Sequence, residues 1–417
     1  MRAKLTDLGH GLERPGMSGR GLGPLAGVRV LDLTSVLMGP YATQIFADLG
    51  ADVIKVESPE GDTTRYLPPG PAPDRGGMFM NLNRGKRSLV LDLKQPAARE
   101  TLLRMAKDAD VFIHSMRAQA IGRLGLDYAA LRAANPRIIY ANLYGFGRQG
   151  PYADYPAYDD IVQAASGLAS LQAHLSGTGE PSYLATVVAD KVAGLTAAYA
   201  VVAALFAREK TGKGQEIEVP MFETLVSFAM TEHLTGAIHD PAVGVPEYPR
   251  VVAAERRPYR TADGFISAMV YNDKQWRAFF RELGNPDWSK DPMFESMRSR
   301  TQNIRAVLGR LAEVMLTRTT EEWLAVFRAA NIPAMPVNST TDLLADPHLE
   351  AVGFWQRRET ADGRIRMTGV PTAFSETPGA VGDPGPGLGA DSDAVLADAG
   401  FSRDEIARLR ASGAVMG

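Results

Sequence analysis

Cysteine is absent from the 417-residue chain, which excludes disulfides, thiolate nucleophiles, iron–sulfur clusters and Cys-ligated zinc. Histidine is scarce. None of the six histidines forms a helical i, i+4 pair, and His233 and His239 lack carboxylates at ligand spacing, so no metal site is expected. A large charge of either sign is also missing. With 45 Lys+Arg against 48 Asp+Glu, the net charge of −3 gives no electrostatic reason for a nucleic-acid or membrane partner. The most apolar stretch, Val187–Phe206, is interrupted by Asp190 and Lys191 and reads as a buried helix rather than a membrane span. Residues 1–24 lack the apolar core of a secretory signal and carry Asp7 and Glu13, unlike a transit peptide. They read as a disordered N-terminal extension of a cytoplasmic protein.

What is present is an alternation of strands and helices. Val28–Leu33, Val53–Glu57, Ser88–Leu91, Val111–His114 and Arg137–Leu143 read as strands, with helices at Tyr41–Leu49, Ala97–Lys107 and Tyr128–Ala134 between them. Such β-α-β repetition implies α/β architecture with a parallel sheet, here a Rossmann-like large domain. A long Ala/Val/Leu-rich helix over 191–208 and a strand Glu216–Val219 follow. The rhythm then stops. Prolines 241, 246, 249 and 258 mark an irregular connection, Pro333 and Pro336 a second one. The expected division is a large domain over 25–222 and 345–417, linkers over 223–246 and 331–344, and a small α+β domain over 247–330.

Three groups of residues could carry chemistry. Gly145-Phe-Gly147-Arg-Gln-Gly150 fits G-x-G-x-x-G, but Pro151 follows where a nucleotide site needs a helix, so a structural turn is expected. Basic residues at Arg84, Lys86 and Arg87, at Lys94, and at Arg117 and Arg123 stand near strand ends. Each alone reads as a surface charge; together they suit a ligand with several phosphates. Asp190 precedes the long helix, where an Asp is ordinarily an N-cap. The helix dipole there favours its ionised form, which a nucleophile also needs.

Many short motifs recur in one order: Leu25-Ala-Gly-Val-Arg-Val-Leu-Asp-Leu33, Gly39-Pro40, Leu49-Gly-Ala-Asp-Val-Ile-Lys-Val-Glu57, Asn83-Arg-Gly-Lys-Arg-Ser88, Leu91-Asp-Leu-Lys94, Arg123-Leu-Gly125 and Lys210-Thr-Gly-Lys-Gly-Gln215. In these the chain resembles the class III CoA-transferases, the group of formyl-CoA transferase, carnitine CoA-transferase and alpha-methylacyl-CoA racemase, over about residues 25 to 412. The resemblance implies Asp190 as the nucleophile. It implies coenzyme A contacts at Leu37, Met38, Ser58, Leu91, Lys94, Ser115, Met116, Arg117, Arg123, Tyr158 and Asp159. Leu37, Ser58 and Ser115 replace Gln, Arg and Asn of formyl-CoA transferase, which leaves backbone contacts at those positions.

The same resemblance implies transfer of coenzyme A from an acyl-CoA thioester to a free carboxylic acid through an aspartyl anhydride and an aspartyl-CoA thioester. Coenzyme A is then a substrate, with no tightly bound cofactor, and the enzyme an interlocked homodimer. Two alternatives are a 2-methylacyl-CoA racemase on the same fold and a non-catalytic CoA-binding subunit. Racemases place a histidine where this chain has Tyr158, a poor base near neutral pH.

Overall fold

The structure, a computed structural model, describes residues 23–417. Positions 1–22 of the expected N-terminal extension lie outside the described residues. Gly23 and Pro24 are ordered: Ala26 N–H donates to Gly23 at 2.9 Å, and Leu25 N–H to Leu49 at 2.9 Å. Two compact units emerge, one of residues 23–162, Val187–Leu225 and His348–Gly417, the other of Gln163–Thr186 and Val226–Pro347.

The first unit is built on a seven-stranded sheet. Its strands are β1 (Arg29–Leu33), β2 (Asp52–Glu57), β3 (Arg87–Leu91), β4 (Val111–His114), β5 (Ile139–Tyr144) and β6 (Gln215–Pro220), joined by the short C-terminal strand Val415–Met416. Across the sheet the order is the C-terminal strand, β3, β2, β1, β4, β5, β6. The six longer strands pair in parallel, with Val30 against both Val53 and Val111. The C-terminal strand pairs antiparallel to β3. Every residue of β1 to β5 is buried, as in parallel sheets covered on both faces, and buried charges among them such as Asp52 and Lys55 are ion-paired. The strand order reverses between β1 and β4, which opens a crevice at their carboxyl ends. Across it Ser35 N–H, after β1, reaches Ser115 Oγ, after β4, at 3.4 Å.

The second unit has an aromatic core. Trp276, Phe279, Phe280, Phe294, Trp323 and Phe327 are buried together, with Trp276 and Phe294 centroids 4.9 Å apart and Phe279 stacked on Phe327 at 5.6 Å. Its helices Asp273–Glu282 and Thr320–Ala329 each begin with a capping box, Asn272 with Gln275 and Thr319 with Glu322.

Several sequence expectations need correction. Residues 163–186, counted with the large domain, cluster with the second unit. The first linker begins with a helix, Met221–His233, since prolines start only at 241 and the preceding run buries Leu225 and Ala229. The second linker contains a strand, Ala334–Pro336, paired with Phe265–Ala268 at the edge of a three-stranded sheet. Pro336 is tolerated there because an edge strand leaves one row of amides unpaired.

Candidate active site

Two cavities lie at the carboxyl ends of the first unit's strands. The larger, about 670 Å³, is bounded by the loops after β1 and β2, by Leu91–Lys94 after β3, and by Met116 and Arg123 beside the short helix Ala118–Arg123. The second, about 520 Å³, holds Met38, Ser115, Arg117, Asp159 and Asp190. Ser35, Val36 and Tyr158 belong to both walls. Ten of the eleven positions expected to contact coenzyme A therefore line one cavity or the other. Leu37 is the exception: it is buried at the N-terminus of α1 (Met38–Asp48), where its carbonyl accepts Tyr41 N–H at 2.8 Å.

In the larger cavity the cations Lys94 and Arg123 are exposed, and neither forms an ion pair among the described residues. The Ser58 hydroxyl bonds to Glu60 and, as the largest influence, holds that carboxyl below its usual range. At the back of this cavity Lys55 pairs with Asp62 at 2.9 Å, and Glu57 with Arg65 at 2.6 Å. Glu57 also accepts the Ser88 hydroxyl and Asp62 N–H, so it is fully engaged rather than free to meet a ribose.

The other basic cluster does not reach either cavity. Arg84 is paired with Asp48 at 2.6 Å, Lys86 with Asp32 at 3.1 Å, and Arg87 with Asp52 at 2.6 Å and Asp398 at 2.7 Å. All three are buried. The expectation that they meet ligand phosphates is therefore wrong, because the fold brings carboxylates from distant segments onto each one.

Asp190 is not an N-cap. The long helix runs Val188–Thr211 with Val187 at its N-cap, so Asp190 is its third residue, and its backbone N–H donates to Asp159 Oδ1 at 3.0 Å. Burial, reinforced by the negative charge of Asp159, pushes the Asp190 carboxyl up to about 6, while a hydrogen bond donated by Met38 N–H partly opposes them. At pH 7 the carboxylate form still outweighs the acid by roughly ten to one.

That Met38 amide was missed on sequence, although Pro40 in the first turn of α1 marks a helix start earlier than Tyr41. Gly194, one turn beyond Asp190, lets α1 come this close: a Cβ there would lie 2.7 Å from the Met38 carbonyl oxygen. The glycine-rich motif after β5 is a turn, as expected. Gly145 is pressed against Ala157, where a Cβ would fall 2.2 Å from the alanine methyl. Arg148 of the same motif is held by Glu216 at 2.9 Å and Glu218 at 2.5 Å.

A Rossmann-type order of strands alone is compatible with many activities, so relatives decide the family. The profile of CoA-transferase family III matches residues 25–392. The chain belongs to CoA-transferase family III. It is 35% identical over 386 residues to a succinate–glutarate CoA-transferase of Agrobacterium fabrum, covering 90% of this chain and 95% of that one. An acetyl-CoA:oxalate CoA-transferase of Acetobacter aceti is 35% identical over 375 residues, covering 86% and 92%. Among solved structures, a CAIB/BAIF family protein from Brucella suis superposes with a TM-score of 0.76 at 31% identity, over 90% of this chain and 99% of that one.

Proposed function

We propose that this family III CoA-transferase moves coenzyme A from an acyl-CoA thioester to a free carboxylic acid, with Asp190 as the covalent nucleophile. The observation that carries the reading is Asp190 itself. Its carboxyl group lines a cavity together with Met38, it makes no ion pair among the described residues, and the Met38 N–H favours its ionised form. The larger cavity, with Lys94 and Arg123 on its rim, is the seat of the CoA phosphates and pantetheine. The shared wall at Ser35, Val36 and Tyr158 is where the thioester passes toward Asp190.

In the first step a carboxylate oxygen of Asp190 attacks the thioester carbonyl and CoA leaves as thiolate, giving a mixed anhydride. The thiolate then attacks the aspartyl carbonyl; the donor acid leaves as its carboxylate, and CoA is held as an aspartyl thioester. The acceptor carboxylate attacks that thioester, regenerating thiolate and a new anhydride. Attack of the thiolate on the acceptor's acyl carbon releases the new acyl-CoA and restores Asp190. Each step exchanges one activated acyl group for another, so no ATP is required. Met38 N–H, already donating to the Asp190 carboxylate, stays on the aspartyl carbonyl oxygen through these steps and stabilises its oxyanion. Coenzyme A is a substrate in this scheme, not a bound cofactor.

A second copy of the chain completes the proposal. Leu195, Tyr199, Val202 and Phe206 are exposed along the long helix at spacings of four, three and four, one apolar face of the kind a homodimer covers. The cytoplasm is the proposed location. A racemase is not favoured: Tyr158 stands where the resemblance gives racemases a histidine, and the relatives above are named as transferases.

Capture of the intermediate tests the nucleophile. Enzyme incubated with acyl-CoA and then hydroxylamine should lose activity and carry a hydroxamate on the peptide containing Asp190, read by mass spectrometry. Asp190→Ala should lose roughly 10⁴-fold or more in transfer rate. Substantial turnover by that variant, with no mark on Asp190 in the wild type, would sink the covalent role.

A further inference from the structure

Val36 has a backbone conformation that its side chain disfavours. Among the described residues only three non-glycine positions have positive φ: Val36 at 68°, Asn285 at 53° and Asn331 at 52°. The two asparagines follow helix ends, where their short polar side chains tolerate the left-handed region. Valine is β-branched, and there such a residue persists only where its surroundings over-determine it.

The surroundings are visible. Val36 N–H donates to both oxygens of Asp62, at 3.2 and 3.4 Å. The Asp62 carboxylate also accepts Thr64 N–H at 3.0 Å and the Thr64 hydroxyl at 2.8 Å. Lys55 Nζ pairs with Asp62 at 2.9 Å and reaches back to the Thr34 carbonyl at 3.0 Å. Both side chains of this pair are buried. From below, Asp32 accepts Thr34 N–H at 2.9 Å and is itself paired with Lys86. The turn between β1 and α1 is thus clamped on each side of the strained residue. Two residues further on is Met38, which lines the second cavity together with Val36 and Asp190 and whose N–H favours the ionised Asp190 carboxyl.

We propose that Asp62 is a positioning residue for the transfer reaction: through Val36 it holds the strained turn that aims Met38 N–H at Asp190 and forms the wall shared by the two cavities. Asp62 acts through the backbone and takes no part in bond making. The inference rests on Asp190 as the nucleophile.

Three measurements test it. In the wild type, hydrogen exchange followed by mass spectrometry should show the Val36 amide protected, although the residue is 39% exposed; exchange at the rate of a free loop amide would overturn the clamp without any substitution. Asp62→Asn should lower kcat for CoA transfer about 10- to 100-fold, the scale of a small misplacement at a reacting centre, with a smaller change in KM for acyl-CoA. Its acid limb in the pH–rate profile should move upward, since Asp190 loses the amide that favours its ionised form and keeps Asp159 beside it. Adding Val36→Gly to Asp62→Asn should recover about 10-fold of the lost kcat, because glycine adopts this φ unaided. No recovery, or an unmoved acid limb in a folded Asp62→Asn, would refute the positioning role. Hydroxylamine capture in every variant separates this failure from that of the nucleophile: a wild type with no mark on Asp190 refutes the catalytic reading and with it the proposal.

Discussion

Two groups of cations in the first unit look alike in sequence and differ in their surroundings. Arg84, Lys86 and Arg87 lie buried, each with a carboxylate between 2.6 and 3.1 Å away. Lys94, Arg117 and Arg123 are exposed around the two cavities and make no ion pair among the described residues. A buried charge without its counter-charge is strongly unfavourable, so a fold that buries a cation must also supply its anion. An exposed cation carries no such requirement, and its counter-charge can arrive with a ligand. Only the second group is available to phosphates.

The largest effect that sharpens this contrast belongs to the buried group. Arg84→Met should destabilise the protein by about 3–5 kcal/mol, because Asp48 stays buried after its ionic partner has gone. Urea unfolding measures that loss, and the folded fraction should bind CoA with unchanged affinity since Arg84 lines neither cavity. A loss below about 1 kcal/mol would break the contrast from the structural side. Arg123→Ala should do the reverse. Stability should stay within about 0.5 kcal/mol of wild type, while CoA binding weakens by about 1.5–3 kcal/mol, less at high salt. Calorimetry at two ionic strengths reads both; equal CoA affinity in the variant at low salt would place Arg123 among plain surface charges.

The contrast also explains what was legible in the sequence. Strand Val111–His114 and helix Tyr128–Ala134 coincide with the expected bounds, because local periodicity and caps such as Asp127 decide them. Ten of the eleven positions that the family resemblance implies fall on the walls of the two cavities, Leu37 being the exception. The fate of Arg84, Lys86 and Arg87 was not legible, since their partners Asp48, Asp32 and Asp52 lie on other strands and helices and no local pattern reports such pairing. The Met38 amide and the Val36 φ were hidden for another reason. Both are backbone properties of one turn, set by contacts with Asp62 and Asp190 from elsewhere in the chain. Helix Met221–His233 was readable from its apolar run and was obscured by weight given to the prolines beyond it.

Asp190 offers the smallest effect and the sharpest version of the comparison, a partly buried anion that makes no ion pair among the described residues. Its carboxyl is raised from the ordinary aspartate value to about 6 by burial and by Asp159. Below about pH 4 the group is protonated in both folded and unfolded chains and contributes nothing. Between about 4 and 6 the unfolded chain has released the proton that the folded one retains, so stability falls as pH rises through this window. Above 6 the penalty is complete. Asp190→Asn, which keeps an acceptor for Met38 N–H, should therefore be more stable than wild type at pH 7.5 by about 1 kcal/mol, after allowance for solvent screening of a half-buried group. At pH 4 the two should unfold at nearly the same denaturant concentration. An Asn variant no more stable at pH 7.5, or an advantage that persists unchanged at pH 4, would mean that the charge of Asp190 is balanced in the folded protein and that it belongs with Asp48 and Asp32 rather than with a nucleophile held at a cost to the fold.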